Sequence, residues 1–242
     1  MAKLRRNDQH PGSLRAALTR GPAPGGTEPP PGAGTSWLVP TPRGDARVDL
    51  DRPDAEARTL LVLGHGAGGD ITAPDLLAVR DAALAGGVAV ARITQPYRVA
   101  GRRAPAPATH LDEAWSAAVT ALRALPSLSV HTLVLGGRSS GARVACRTAP
   151  QLGAAGVIAL AFPEHPPGRP DRSRGAELRS GLPTLVVNGD RDPFGVPDPF
   201  PDGEIALVPG DHTLKKDPAA VARLVLSWLT AHAWADVENA AQ

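Results

Sequence analysis

The sequence of 242 residues lacks the features that mark disulfide-bonded, membrane-spanning or nucleic-acid-binding proteins. Its single cysteine, Cys146, excludes an intrachain disulfide. No apolar run approaches the roughly 18 residues of a membrane span, and Lys3, Arg5 and Arg6 are not followed by the apolar segment of a secretory signal. The net charge of +2 comes without a dense basic run. We therefore expect a cytoplasmic protein with neither membrane nor nucleic acid as partner.

Signatures of metal and cofactor sites are also missing. A lone cysteine cannot form a CxxC pair, and none of the seven histidines forms an HxxxH pair. We therefore expect neither a metal nor an organic cofactor. The composition, with 42% apolar and 21% charged residues, is ordinary for a soluble globular protein. The length suits one α/β domain with a loose end.

The first part of the chain has the composition of a tail. In the segment 21–34, ten of the fourteen residues are Gly or Pro, and such a segment buries too little apolar surface to offset the entropy that ordering would cost. We predict disorder over 1–34, interrupted by a short helix at 13–18, and a folded domain over 35–242.

From residue 36 onward the sequence has the pattern of short strands. A hairpin is predicted over 36–39 and 46–50, because the prolines and the glycine between these segments are turn residues. Continuous apolar runs are typical of strands that are covered on both faces. Such a run occupies 59–64, and further strands are predicted at 88–93, 156–162, 184–188 and 204–208.

Helical segments alternate with these strands. Helices are predicted at 74–85, after Ser139, and from 217 onward. A further helix at 109–125 is predicted to begin with a capping box of Thr109 and Asp112. The alternation indicates the α/β fold class, with a doubly wound, mainly parallel sheet and a site at the carboxyl ends of its strands.

The stretch 132–150 combines an apolar strand with a small-residue helix around one serine. It contains Gly137-Arg138-Ser139-Ser140-Gly141, which fits the G-x-S-x-G nucleophile elbow in the strand, turn and helix context that the motif requires. A serine on so sharp a turn needs residues without side chains two positions before and after it. Ser139 meets this condition and Ser140 does not. The alternative is a Gly/Ser-rich turn without a chemical role.

A serine hydroxyl attacks only when a base takes its proton and an acid orients that base. The base candidate is His212, directly after the last predicted strand. His65 and His165 also follow strands, but both precede the acid in the chain, against the order serine, acid, histidine of such elbows. Asp190 and Asp192 are the acid candidates, and Asp192 is favoured because it lies further into its loop. Taken alone, each aspartate also fits a loop residue that bonds its own backbone.

Backbone amides are the candidate oxyanion donors. Ser140 begins the helix after the elbow, where unpaired amides and the positive end of the helix dipole favour negative charge. The second donor is expected in the glycine-rich loop 65–69, and Ala67 is our choice. The same loop also fits a packing role, since glycines let backbones approach closely.

Three arginines near the predicted site form a separate signal. Arg98, Arg102 and Arg103 follow the strand 88–93 and are candidates for pairing a substrate carboxylate, although such a run is also typical of a solvated loop. Cys146 lies beyond the elbow in the same helix and has no evident histidine partner. We interpret it as a small buried residue rather than a nucleophile.

With these residues in place, the chain resembles the α/β-hydrolase superfamily, and within it the small, lidless group related to dienelactone hydrolases. The likeness extends over about 36–233 and rests on five segments: HGAGGD (65–70), GGRSSGARVA (136–145), FPEHPPGRP (162–170), NGDRDPFG (188–195) and PGDHTL (209–214). The resemblance implies a triad of Ser139, Asp192 and His212, with the amides of Ala67 and Ser140 as the oxyanion hole.

The chain departs from that group at two positions. Ala142 stands where the group often has a second glycine, which narrows the space beside the elbow without touching the triad. Ser139 stands where dienelactone hydrolases have a cysteine nucleophile. Lactone hydrolysis of that kind is therefore not expected here.

Two functions agree with these residues. The first is a serine hydrolase acting on an ester or related small-molecule acyl compound, in which Ser139 attacks, His212 transfers the proton and Asp192 orients His212. About twenty residues separate Phe162 from Leu182, too few for a large lid, so small or exposed acyl groups are expected. The alternative is a catalytically silent hydrolase-fold module that binds a partner through the cleft or the Pro-rich tail.

Overall fold

A computed structural model describes residues 34–129 and 131–236. The predicted tail up to residue 33 and its helix at 13–18 therefore lie outside the described residues. Within them, eight strands form one sheet: β1 (Thr35–Thr41), β2 (Gly44–Asp51), β3 (Thr59–Gly64), β4 (Ala89–Thr94), β5 (Thr132–Arg138), β6 (Gly156–Leu160), β7 (Thr184–Gly189) and β8 (Gly203–Val208). The α-helices are α1 (Pro74–Ala85), α2 (Pro96–Val99), α3 (Ala108–Arg123), α4 (Ser140–Thr148) and α5 (Pro218–Ala231).

The strand order is β1-β2-β4-β3-β5-β6-β7-β8. The strands from β3 to β8 run parallel, whereas β1 and β2 form an antiparallel hairpin that joins the sheet through β4. This confirms the predicted doubly wound, mainly parallel sheet and its edge hairpin. The chain passes from β3 to β4 on one side and then to β5 on the other, so the order reverses between β3 and β5. Parallel sheets bind their ligands at such a switch point.

Helices cover both faces of the sheet because the central strands are apolar on both sides. All six residues of β3 are buried, with Leu60 and Val62 on one face and Leu61 and Leu63 on the other. A buried Leu or Val contributes about 1.5–3 kcal/mol relative to an exposed one. Helices α3 and α4 pack on the first face, and α1 and α5 pack together on the second.

The structure corrects the predicted start of α3. The helix begins at Ala108, and its N-cap, Pro107, makes no side-chain capping bond. The capping box of Thr109 and Asp112 is therefore wrong. Asp112 instead accepts two hydrogen bonds from Arg147 of α4, at 2.6 and 2.9 Å. Asp112, which the local pattern assigned to a helix cap, therefore connects α3 to α4 instead.

The connection from β6 to β7 contains only a short 3-10 helix, Gly175–Leu178, so the sheet carries no large lid there, as predicted. Three short helices were not predicted from the sequence: this one, α2 and a 3-10 helix at Pro126–Leu128. Each has only three or four residues, too few to show apolar periodicity. No helix in the described ranges is both long enough and apolar enough to span a membrane.

Candidate active site

Ser139 stands between β5 and α4 in a strained backbone conformation. Its φ of 53° and ψ of −110° lie in a region that residues with a side chain rarely adopt. The amide of Ser139 donates to the Leu160 carbonyl of β6, at 2.8 Å, so the turn is tied to the neighbouring strand. This conformation places the serine at the carboxyl end of β5, as the elbow motif predicts.

The two glycines of the elbow are required by the close approach of β3. A Cβ atom on Gly137 would lie 2.6 Å from the Gly64 carbonyl oxygen, and one on Gly141 would overlap the same carbonyl group. Real Cβ atoms do not approach backbone so closely, so either substitution would force the strand and helix apart. The glycines at these two positions are therefore required both by the sharp turn and by the close contact of α4 with β3.

His212, in the loop after β8, contacts both other members of the predicted triad. Its Nε2 lies 2.9 Å from Ser139 Oγ, and its Nδ1 lies 2.8 Å from Asp192 Oδ2. An ionised carboxylate only accepts hydrogen bonds, so Nδ1 carries the proton and donates it to Asp192. Nε2 is then the acceptor, and the Ser139 hydroxyl donates to it. This is the tautomer that a general base for Ser139 needs.

The structure distinguishes the two candidate acids. The side chain of Asp192 is fully buried, and its second oxygen accepts the Phe194 amide at 2.9 Å. The Phe194 ring meets the His212 ring edge-on, with 4.4 Å between ring centres. Asp190 Oδ1 instead accepts the Gly210 amide at 2.8 Å. Asp190 therefore joins the acid loop to the base loop, while Asp192 contacts the imidazole.

The two competing histidines have other partners. Buried His65 donates from Nδ1 to the Gly66 carbonyl at 2.8 Å and accepts the Gln95 amide at Nε2, at 3.1 Å. Burial lowers the pKa of His65, which agrees with a neutral ring. His165 donates from Nδ1 to the Pro166 carbonyl at 3.0 Å. Both rings therefore serve local backbone, and His65 fixes the start of the glycine-rich loop.

The predicted oxyanion donors belong to the elbow and to the glycine-rich loop. Ser140 is the first residue of α4, and the first-turn amides of a helix have no intrahelical partner. Gly66 passes close to Ser139, since a Cβ atom on Gly66 would lie 3.5 Å from Ser139 Cβ, and Ala67 is the next residue of that loop. The Tyr97 hydroxyl donates to the Ala67 carbonyl at 2.6 Å, which anchors this loop from α2.

A family model of the alpha/beta hydrolase domain matches residues 57–216, well over half of the 242 residues. The chain belongs to the alpha/beta hydrolase family. The match spans the glycine-rich loop, the elbow, the acid loop and His212. None of the curated protein sequences matches this hydrolase domain.

Solved structures share the fold of this hydrolase domain at low sequence identity. An alpha-beta serine hydrolase homologue from Coxiella burnetii is 18% identical, with a TM-score of 0.67, and the match covers 82% of this chain and 98% of that one. A serine hydrolase without a lid from Xanthomonas campestris is 17% identical, with a TM-score of 0.68 and coverages of 85% and 98%. A dienelactone hydrolase from Anabaena variabilis is 18% identical, with a TM-score of 0.63, and the match covers 83% of this chain and 99% of that one.

A buried ion pair behind the elbow of the hydrolase domain was not predicted from the sequence. Arg138 Nε lies 3.0 Å from Asp75 Oδ2 of α1, and Arg138 Nη2 donates to the His212 carbonyl at 2.7 Å. The side chain of Asp75 is 0% exposed and that of Arg138 is 15% exposed. An aspartate in the first turn of a helix is ordinary, so the sequence offers no signal that would single out Asp75.

The three arginines after β4 occupy different environments. Half-buried Arg98 donates to the Arg102 carbonyl at 3.3 Å, which stabilises the turn after α2. Arg102 and Arg103 are exposed at the rim of a groove of about 620 Å³ whose floor includes Tyr97 and Leu111. Tyr97 and Leu111 also line a small cavity against Ser140. The groove therefore adjoins the elbow, with two of the three arginines at its rim.

Cys146 and metal-binding groups contribute no further site. Cys146 is buried in α4, and burial raises the pKa of its thiol to about 12, so it remains a protonated thiol at neutral pH. Across 34–129 and 131–236, His, Cys, Asp and Glu side chains form no group of three that could hold a metal ion.

Proposed function

We propose that this protein is a serine hydrolase that cleaves esters or related acyl compounds through a covalent acyl-enzyme. The observation that carries the proposal is the hydrogen-bonded chain from Ser139 Oγ to His212 Nε2, at 2.9 Å, and from His212 Nδ1 to Asp192 Oδ2, at 2.8 Å. Membership of the alpha/beta hydrolase family supports the same reading.

In the acylation step, His212 Nε2 takes the hydroxyl proton as Ser139 Oγ attacks the carbonyl carbon. The resulting imidazolium donates to the buried Asp192 carboxylate, which stabilises its charge. His212 then protonates the leaving group, and an ester of Ser139 remains. In the second step His212 takes a proton from water as the water oxygen attacks the acyl carbon. The bond between the acyl carbon and Ser139 Oγ then breaks, His212 returns the proton to Oγ, and the acid is released.

The negative charge on the carbonyl oxygen needs fixed donors during both steps. We assign this role to the amide of Ser140, the residue after the nucleophile, and to the amide of Ala67, in the loop whose Gly66 passes close to Ser139. The Gly66 carbonyl, which belongs to the same peptide group as the Ala67 amide, accepts hydrogen bonds from His65 Nδ1 at 2.8 Å and from the Gly69 amide at 3.1 Å, so the orientation of that peptide group is restrained. Donors that are placed before the reaction cost no reorganisation when the charge develops.

The open surface near the elbow favours a small acyl substrate. The β6–β7 connection carries no large lid, and the groove beside the elbow offers apolar and cationic walls. We propose that the exposed guanidinium groups of Arg102 and Arg103 contact a carboxylate on the substrate when one is present. Arg98 is not included, because it is committed to the turn after α2.

A catalytically silent scaffold is the alternative. A site released from catalysis has no need to keep imidazole, hydroxyl and carboxylate in mutual hydrogen-bond reach. The two contacts of His212, together with the strained Ser139 backbone, therefore support the enzyme over the scaffold.

Hydrolysis of p-nitrophenyl acetate and butyrate, with fluorophosphonate labelling, tests the proposal. Wild-type protein should turn over at least one ester and label. Ser139→Ala should lose about 10⁴-fold or more in kcat and lose all labelling. Ser227→Ala, at an exposed position of α5, is the matched control and should stay within about two-fold of wild type. Folded wild-type protein that neither hydrolyses nor labels, beside an unrelated serine esterase that does both, would contradict the proposal.

A panel of esters, thioesters and amides then narrows the substrate class. Each ester is tested in a neutral form and in a form that bears a carboxylate. Replacing both Arg102 and Arg103 by Ala should raise KM for the carboxylate form by about two- to five-fold, as expected for exposed ion pairs. KM for the neutral form should not change. Equal effects on both forms would contradict the assignment of these arginines.

A further inference from the structure

Arg138 lies beside the nucleophile in the chain and beside the base in space. Its Nη2 donates to the main-chain carbonyl of His212 at 2.7 Å, and a Cβ atom on Gly66 would lie 3.5 Å from its Nη1. One guanidinium therefore contacts the base loop and lies beside the glycine-rich loop, while its own backbone belongs to the elbow. The side chain connects the residue before the nucleophile to the main chain of the candidate base.

The guanidinium is itself oriented by Asp75. Arg138 Nε lies 3.0 Å from Asp75 Oδ2, and the aspartate, fully buried at the start of α1, has no other side-chain partner among the described residues. The contact is an ion pair rather than a well-aligned hydrogen bond. Because the guanidinium is planar and rigid, the ion pair at Nε sets the direction in which Nη2 points.

We propose that Arg138 and Asp75 are positioning residues for the base: Asp75 orients the guanidinium, and the guanidinium fixes the main chain of His212 so that its imidazole meets Ser139 and Asp192. The inference rests on the proposed serine-hydrolase function. It assigns to the variable residue of the elbow a task that the motif itself does not specify.

The environment of Asp75 supports a coupled pair. Burial raises the pKa of the Asp75 carboxyl, and the positive charge of Arg138 opposes that rise. Removing one partner leaves the other as an uncompensated buried charge, whereas removing both leaves none. The double substitution Asp75→Asn with Arg138→Gln is therefore the variant that best preserves folding while it removes the tether.

The test compares Arg138→Gln, Arg138→Lys, Asp75→Asn and the double variant with wild type. Steady-state kcat and KM for p-nitrophenyl acetate and the rate of fluorophosphonate labelling report on the base. Amide hydrogen exchange over 209–216 reports on the base loop without requiring activity. Arg147→Gln is the control, because Arg147 of α4 forms an ion pair with Asp112 of α3, with side chains 21% and 23% exposed, and its hydrogen bonds go to Asp112 and Glu177 rather than to the His212 loop.

Arg138→Gln should lower kcat and the labelling rate by about 10²-fold, the effect of a misplacement of roughly 1 Å, with KM changed much less. Arg138→Lys should recover part of the loss, since it keeps the charge but not the planar fork. The double variant should be no worse than Arg138→Gln, because both substitutions act through one contact. Exchange over 209–216 should accelerate in all four variants and not in Arg147→Gln, whose kcat should stay within about two-fold of wild type.

The proposal is overturned if folded Arg138→Gln, or the folded double variant, keeps wild-type kcat and wild-type exchange over 209–216. It is also overturned if these variants lose only thermal stability, the outcome expected for Arg147→Gln. Wild-type protein that neither hydrolyses nor labels would instead contradict the serine-hydrolase proposal. In that case the exchange comparison alone decides whether Arg138 and Asp75 position the His212 loop.

Discussion

The β1–β2 hairpin and the carboxyl edge of the parallel strands both carry arginine–aspartate pairs, but in different surroundings. On the hairpin, Arg47 and Asp49 lie two residues apart on the outward face of β2, with side chains 34% and 17% exposed. Behind the elbow, Arg138 meets a fully buried Asp75 on another element. A partly exposed pair of neighbouring residues contributes little and is replaceable, whereas removing one member of a buried pair leaves an uncompensated charge between two elements.

The backbone is relaxed in the hairpin and strained at the elbow. The hairpin alternates buried Ala46, Val48 and Leu50 with outward polar residues in an extended conformation. At the elbow, Ser139 has a positive φ and two glycines press against Gly64. Strain of this kind costs of order 1–3 kcal/mol and persists only where the surrounding packing enforces it. The comparison therefore predicts that equal chemical changes have unequal effects in the two regions.

The largest expected effect is at the acid. Asp192→Asn should lower kcat by about 10⁴-fold, because an amide no longer selects the tautomer with the proton on His212 Nδ1. Asp190→Asn keeps a carbonyl oxygen for the Gly210 amide and should lose only a few-fold in kcat. Steady-state kinetics on one ester decide between them. Equal losses in both variants would mean that the loop matters as a whole, rather than the Asp192 contact.

The second effect concerns packing of the elbow against β3. Gly141→Ala should reduce the free energy of unfolding by about 1–3 kcal/mol through overpacking, with a parallel loss of kcat as Ser139 moves. Ala142→Gly at the next position of the same helix removes a methyl group and should cost about 1 kcal/mol, with kcat retained. Urea denaturation and ester hydrolysis measure both quantities. A Gly141→Ala protein as stable and active as wild type would remove the steric argument for this glycine.

The third effect is a pH dependence from His65. Because burial lowers the pKa of His65, the unfolded chain takes up its proton at a higher pH than the folded protein does. The contribution of neutral His65 to stability is therefore present above about pH 6.5 and is lost as the pH falls through that value. Between roughly pH 7.5 and 5, the free energy of unfolding should fall more steeply with decreasing pH in wild type than in His65→Asn. Denaturant titrations at several pH values measure this difference. If the free energy of unfolding depends on pH in the same way in both proteins, His65 does not contribute to the pH dependence of stability.

The smallest effect is expected on the hairpin. Asp49→Asn should change the free energy of unfolding by no more than about 1 kcal/mol, and less at high salt. The kinetics of ester hydrolysis should match those of wild type. Chemical denaturation at low and high ionic strength, together with one kinetic assay, provides the check. A large loss of activity would connect the hairpin to the site and would weaken the contrast between the two regions.

Most of the fold was predictable because its signals are local. The continuous apolar run 59–64 predicted β3 with its observed bounds, since a strand covered on both faces needs apolar residues at every position. The predicted start of α3 failed for the opposite reason. Thr109 and Asp112 have capping spacing, but Asp112 is used by Arg147 of α4, a partner that spacing does not reveal.

By itself, the sequence determined the kind of fold, the position of Ser139 on an elbow, and the order of a candidate acid and base behind it. These depend on backbone sterics and on periodicity over a few neighbouring residues. Only the tertiary structure decided that Asp192 rather than Asp190 contacts His212, and that Asp75 lies behind the nucleophile. Such contacts join separate loops and helices, and they depend on the strand order, which places β7 and β8 side by side on the same side of β5 with their carboxyl ends at one edge of the sheet.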